Sequence, residues 1–244
     1  MIRQKISLFG KILWIVPYVL LISMSDIFLA VPTSQPLPDM LWYRIFGRLS
    51  AGELHTVILS VKSIGGIFLF VLLYGSCISD YFGTISVFVF TRVNNRKIWC
   101  IKKAGELCLF SMLYSFLLIV VHFVIGFRNV NEWRLDGSAI MTFAVIWGII
   151  MPLLAVVCLA VNWISIPFDV PIAVFLVFVV VMILEFVAIL LFDNIVNVIL
   201  NPLCFNILII NNPVYAIMKI LIEVLYLLLI MAGMMFYVKY RDIF

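Results

Sequence analysis

Glu185 is the residue whose type and place most suggest chemistry. It sits in VFLVFVVVMILEFVAILLF, where nothing else is charged. A carboxylate held at the middle of a bilayer costs about 2.5–3.5 kcal/mol or more. Such a group either faces a cavity, where it meets a substrate or a proton, or is bonded to a neighbouring helix or to outer headgroups. Lys219 and Glu223 form a second candidate. Spaced i, i+4, they share one helix face and can pair, as a structural ion pair or as part of a translocation path. Glu106 stands in the same relation to Lys102 and Lys103.

The enzyme classes that work inside membranes leave no trace. A serine protease needs a nucleophile and a histidine base that can meet. Here there is no GxSG, and the histidines are His55 and His122. No HExxH is present for a metalloprotease, and the carboxylates Glu185, Asp193 and Glu223 match no acid/base motif. The five cysteines, Cys77, Cys100, Cys108, Cys158 and Cys204, are scattered and contain no CxxC. They read as small packing residues rather than as a disulfide framework or metal site. No GxxxxGK[ST] loop could cradle a nucleotide. The expectation is a non-enzyme with no cofactor of its own, so any ATP that drives it is bound by another chain.

Composition sets the solvent. Of 244 residues, 66% are hydrophobic and 11% charged, with a mean hydropathy of +1.26. Soluble domains carry about 25% charged residues. The chain is therefore expected to be a single polytopic, all-α membrane domain. Six spans are expected, at about residues 12–31, 54–79, 104–127, 138–161, 171–192 and 216–238. The first is long for a signal peptide and no A-x-A site follows it, so it is read as an uncleaved span. Residues 1–11 read as its positive anchor. Pro152 is expected to kink span four. Gly65, Gly66 and Gly233 would let helices approach closely.

Between these spans lie three unusual stretches. Residues 80–103 hold Arg92, Arg96, Lys97, Lys102 and Lys103, with Asp80 at the start. This is the densest positive block and belongs on the cytoplasmic side. Asp39 to Leu49 reads as a short amphipathic helix after the break PTSQPLP, with Leu41, Trp42, Ile45 and Phe46 on one face and Arg44 and Arg48 off it. It is expected at the outer membrane interface. Asp193 to Tyr215 is apolar but broken at Asn201-Pro202 and Asn212-Pro213. Broken helices at membrane depth occur only inside protein or along a cavity, so this stretch reads as two half-helices that dip in and return.

Charge placement tests that topology. The proposed inner segments hold Arg3, Lys5, Lys11, Arg92, Arg96, Lys97, Lys102, Lys103, Lys239 and Arg241 against Asp80, Asp169 and Asp242. The outer loops balance Arg44, Arg48, Arg128 and Arg134 with Asp39, Glu53, Glu132 and Asp136. Both termini are therefore expected inside. Basic residues in short membrane-flanking blocks point to anionic lipid headgroups, not nucleic acid.

Taken together, the six-span layout, the basic inner connection with Arg92, Arg96, Lys97, Trp99 and Lys103, the broken segment before the last span and the ending Phe236-Tyr237-Val238-Lys239-Tyr240-Arg241-Asp242-Ile243 resemble the membrane subunit of an ABC-2-type ABC transporter. The resemblance implies a permease dimer, of identical or related chains, over two separate ATP-binding subunits that hold ATP and Mg. The connection containing Phe82, Phe88, Arg92, Arg96 and Lys97 would couple the two. It implies export of, or immunity to, a peptide or a lipid-like substrate, in a bacterial cytoplasmic membrane. The other readings are a stand-alone immunity or scaffold protein and an ion-coupled secondary transporter, for which Glu185 speaks.

Overall fold

The structure is a computed structural model that describes residues 16–18, 20, 37–46, 57–78, 96–126 and 137–240. Within these, the side chains of 57–63, 96–97, 125–126 and 238–240 are not described. The expected N-terminal anchor, most of the first span, Phe82, Phe88, Arg92, the loop 128–136 and the final residues 241–244 lie outside the described residues.

The described chain is helical throughout. Helix α1 is Leu37–Phe46, α2 Val57–Tyr74, α3 Arg96–Gly126, α4 Gly137–Ile164, α5 Val170–Leu190, α6 Ile195–Leu200, α7 Leu208–Asn211 and α8 Pro213–Tyr240. Local chemistry explains the starts. Pro171 lies in the first turn of α5, where its missing N–H costs nothing, with Asp169 as N-cap. At α8, Asn212 accepts from Val214 N through Oδ1 at 3.0 Å, and Pro213 opens the helix.

Four helices, α3, α4, α5 and α8, are long and apolar enough to cross a membrane. The shorter apolar run Ile64–Tyr74 belongs to α2. The chain is thus an all-helical, membrane-embedded protein. Helix α4 is its axis: 67% of its apolar window is buried, against 44% for α3, 28% for α5 and 17% for α8. It packs on α1, α2, α3, α5 and α8, and it runs unbroken through the buried Pro152.

Pairs of contacts give the helix directions. Trp147 Nε1 donates to the Met112 carbonyl at 3.2 Å, and Phe116 meets Phe143 at 5.9 Å. Partner numbers rise on α4 as they fall on α3, so the two are antiparallel. The same holds for α2 and α3, where Phe70 meets Tyr114 at 5.0 Å and Tyr74 meets Phe110 at 5.2 Å. Helices α4 and α8 run parallel. A Cβ on Gly148 would lie 3.0 Å from Ile220, and one on Gly233 would lie 2.9 Å from the Trp163 ring. Helix α5 folds back on α4 through a short turn, bonded at Phe168 N to the Ile164 carbonyl at 3.3 Å. Residues 191–212 therefore leave and rejoin the bundle at one end.

Two expectations need correction. Helix α3 starts at Arg96, ahead of the span expected at about 104–127, so residues 96–103 of the basic block are its first turns. The apolar stripe explains this: Cys100, Ala104 and Leu107 are all buried and recur at helical spacing. Lys103 pairs with Glu106 at 2.7 Å, both side chains partly exposed. The short helix after the proline-rich break forms, but protein covers it on the Arg44 side as well as on the apolar face. Trp42 is 0% exposed and Arg44 3%, because α1 is inserted between the ends of α2, α3 and α4. An apolar face can be covered by protein as well as by lipid, and here protein covers it.

Candidate functional site

The stretch between α5 and α8 is apolar but carries Asn194, Asn197, Asn201, Asn206, Asn211 and Asn212. A break in a helix leaves backbone N–H and C=O groups without partners, and lipid offers none. Asparagines supply them. Asn194 caps α6, its Oδ1 accepting from Val196 N at 2.9 Å and Asn197 N at 3.3 Å. Asn197 Nδ2 donates to the Leu191 carbonyl at 2.9 Å, and Asn206 Nδ2 donates to the Phe192 carbonyl at 3.0 Å. Asn206 Oδ1 also accepts from Leu208 N at 3.0 Å, opening α7.

Asn201 is the hub. It ends α6 and is 6% exposed. Its Nδ2 donates to the Leu184 carbonyl at 2.8 Å and to Asn197 Oδ1 at 3.1 Å, while its Oδ1 accepts from Leu203 N at 3.0 Å. Leu184 lies roughly 9 Å back along α5 from Leu190, at 1.5 Å per residue. The break is thus tied well below the end of α5, alongside it. Pro202 follows in the turn, where it has no N–H to leave unpaired. Asn212 and Pro213 form the second break, between α7 and α8.

Helix α8 completes the α6 terminus. Lys219 Nζ donates to the Asn201 carbonyl, and Tyr226 Oη donates to the Leu200 carbonyl at 2.8 Å. A cation beside the last carbonyls of a helix is the favourable end of the helix dipole. Lys219 also pairs with Glu223 at 3.7 Å, and both side chains are 0% exposed. Taking two charges out of water costs several kcal/mol per ion unless pairing and hydrogen bonds offset it. Here the offset comes from the ion pair and from the Asn201 carbonyl, which also accepts from Cys204 N at 3.1 Å.

Glu185, 2% exposed on α5, follows Leu184 in the chain and so stands at the level of the Asn201 amide. A groove of about 760 Å³ opens beside this level, between α5, α6, α8 and Val156 of α4. Its walls include Leu184, Val187, Asn201 and Pro202 but not Glu185, Lys219 or Glu223. The charges expected along a translocation path are buried and do not line this groove. From the other side α1 closes the break. Trp42 Nε1 donates to the Phe205 carbonyl at 3.2 Å, and the Phe46 and Phe205 rings stack at 4.0 Å.

The remaining expected residues lie elsewhere. Arg96 and Lys97 open α3, far along the chain from the break, and their side chains are outside the described residues. Gly65 and Gly66 face Tyr18 and Leu118, with Tyr114 Oη donating to the Gly66 carbonyl at 2.9 Å. Asn194, Asn197, Asn206 and Tyr226 did not stand out in the sequence, and Trp42 did so only as part of an apolar face. The signal was there for the asparagines, which recur through an apolar stretch where each amide must bond to something. Asn162 is another such case: 0% exposed, it accepts from Ile78 N at 2.8 Å and ties α2 to α4. Among the described residues no cluster of His, Cys, Asp or Glu could hold a metal ion.

No protein-family model, curated protein or solved structure matches this chain. Fold and site together define a helical membrane-embedded protein with a broken, asparagine-capped segment locked to a buried Lys–Glu pair.

Proposed function

We propose that the chain is the permease subunit of an ATP-driven ABC exporter in a bacterial cytoplasmic membrane. In this reading it has six spans with both termini inside and moves a peptide or a lipid-like substrate. Two permease copies stand over separate ATP-binding subunits, which carry ATP and Mg. The observation that supports it most is the segment 191–212, which leaves and rejoins the bundle at one end and is tied alongside α5 by Asn201. That supports reading it as the re-entrant element the resemblance calls for. The basic connection, with Phe82, Phe88, Arg92, Arg96 and Lys97, is the coupling surface.

The ion-coupled alternative draws on the buried charges Glu185, Lys219 and Glu223. Pairing of the last two leaves it with Glu185. The test is gentle purification of the tagged chain from its native host, followed by mass spectrometry and an ATPase assay. A stoichiometric ATP-binding partner with activity is expected, and the charge reversal Arg96→Glu/Lys97→Glu should lower its recovery without lowering insertion. A pure chain with no such partner would replace the permease by a stand-alone protein. Unchanged recovery with the reversed charges would remove the coupling role from that pair.

A further inference from the structure

The groove beside the break is large, and its walls define what fits. Leu184, Val187 and Leu191 line one side and Leu229 and Ile230 the other, with Leu200 between. Its inward polar donors are already engaged. Asn197 Nδ2 is bonded to the Leu191 carbonyl, Asn201 Nδ2 to the Leu184 carbonyl and Tyr226 Oη to the Leu200 carbonyl. A ligand's polar group would find few donors along the wall beyond the second N–H of Asn197 and the amide of Asn194 at its mouth. Water gains little there either, because an ordered water needs two to four polar partners.

The groove also opens onto the face that meets lipid. Leu191, Val196, Leu200 and Leu229 on its walls are 48%, 63%, 49% and 59% exposed. They continue the apolar surface of α5 and α8 formed by Phe186, Leu190, Leu225 and Leu228, all exposed. A space of about 760 Å³ left empty beside hydrocarbon forfeits its dispersion contacts on one side. A helix is the wrong occupant. With side chains it is roughly 10–12 Å across, so this space takes only about 10 Å of its length, less than two turns. A flexible hydrocarbon chain has the right cross-section and needs no polar partner. Asn194, exposed after the end of α5 and also lining the groove, stands where a headgroup would emerge.

We propose that the groove between α5, α6 and α8 is a binding site for one hydrocarbon chain of a membrane lipid, inserted from the side against the α6 break. The site does not depend on the permease reading, since its walls belong to this chain alone. A chain seated there touches both α6 and α8 and so lies over the contacts that hold the break.

The test uses the purified full chain in vesicles of phosphatidylcholine and phosphatidylglycerol, with a small fraction of phospholipid carrying a photoreactive diazirine in mid-chain. After irradiation and digestion, adducts are quantified by mass spectrometry. Residues 184–201 and 226–230 should be labelled several-fold more than the outward face of α5 around Phe175 and Val179. Leu200→Trp and Leu229→Trp, each placing a ring in the groove from an exposed position, should lower groove labelling several-fold and leave the α5 labelling unchanged. Groove labelling equal to that of the α5 face would mean ordinary boundary lipid and overturn the proposal. So would labelling that ignores both tryptophans in monodisperse protein, or cross-links from these residues to a second copy of the chain.

Discussion

The half of the bundle built on α2, α3 and α4 and the half between α5 and α8 face the same solvent and meet it by opposite means. In the first, long helices satisfy most of their own backbone and side chains mainly pack, with Asn162, Tyr114 and Trp147 as polar exceptions. Phe70, Tyr74, Phe110 and Tyr114 form a run of ring contacts at 4.9–5.2 Å, and three of the four are at most 1% exposed. In the second, the helix is broken and side chains do the work of backbone. Asn194, Asn197, Asn201, Asn206, Lys219 and Tyr226 each bond a main-chain group. Packing tolerates loss by degrees, as cavities partly collapse. Buried polar networks do not, because a half-satisfied network strands polar atoms in hydrocarbon. The second half is therefore where small chemical changes should have large effects.

The largest break in that comparison should come from the buried charges. Lys219→Ala strands Glu223 and removes one of two donors to the Asn201 carbonyl, and should cost about 3–5 kcal/mol, read as a lower unfolding temperature in detergent. The double variant Lys219→Met/Glu223→Leu should recover much of that loss. A single variant as stable as the parent would show that charge does not hold the break. In the packed half, Phe70→Ala should cost about 3–5 kcal/mol through its cavity, and here a second substitution of charge or polarity should rescue nothing.

Asn201→Ala removes the tie to Leu184 and should cost about 1–3 kcal/mol. Its mark should be local: faster amide exchange over residues 184–204, with α3 and α4 unchanged. Uniform faster exchange would mean the two halves are one cooperative unit. Gly233→Ala, which presses a Cβ to 2.9 Å from the Trp163 ring, should cost about 1–3 kcal/mol as overpacking. The smallest effect should be Phe175→Ala on the outward face of α5, 64% exposed, within about 0.5 kcal/mol of the parent. A larger loss there would point to a covering partner.

Much of the secondary structure was legible in the residues. The apolar runs placed α4, α5 and α8 to within a turn, because length and hydropathy are local properties and lipid enforces them. Asn201-Pro202 and Asn212-Pro213 marked the ends of α6 and α7 for an equally local reason, the missing proline N–H. The spacing of Lys219 and Glu223 put them on one face. The start of α3 was less legible, since charge at Arg96 to Lys103 masked a helical stripe that continues through Cys100 and Ala104.

Partners were decided only by tertiary structure. Periodicity shows that α1 has an apolar face, but lipid and protein are equally apolar, and only the packing puts Trp42 on the Phe205 carbonyl. Spacing can pair Lys219 with Glu223, but it cannot say that the ammonium also closes the end of a helix some eighteen residues earlier in the chain. The parallel run of α4 and α8 follows from where Gly148 meets Ile220 and Gly233 meets Trp163. Composition chose the solvent, and local chemistry chose where helices begin and break. Which buried polar atom answers which depends on elements distant in sequence being brought to one depth.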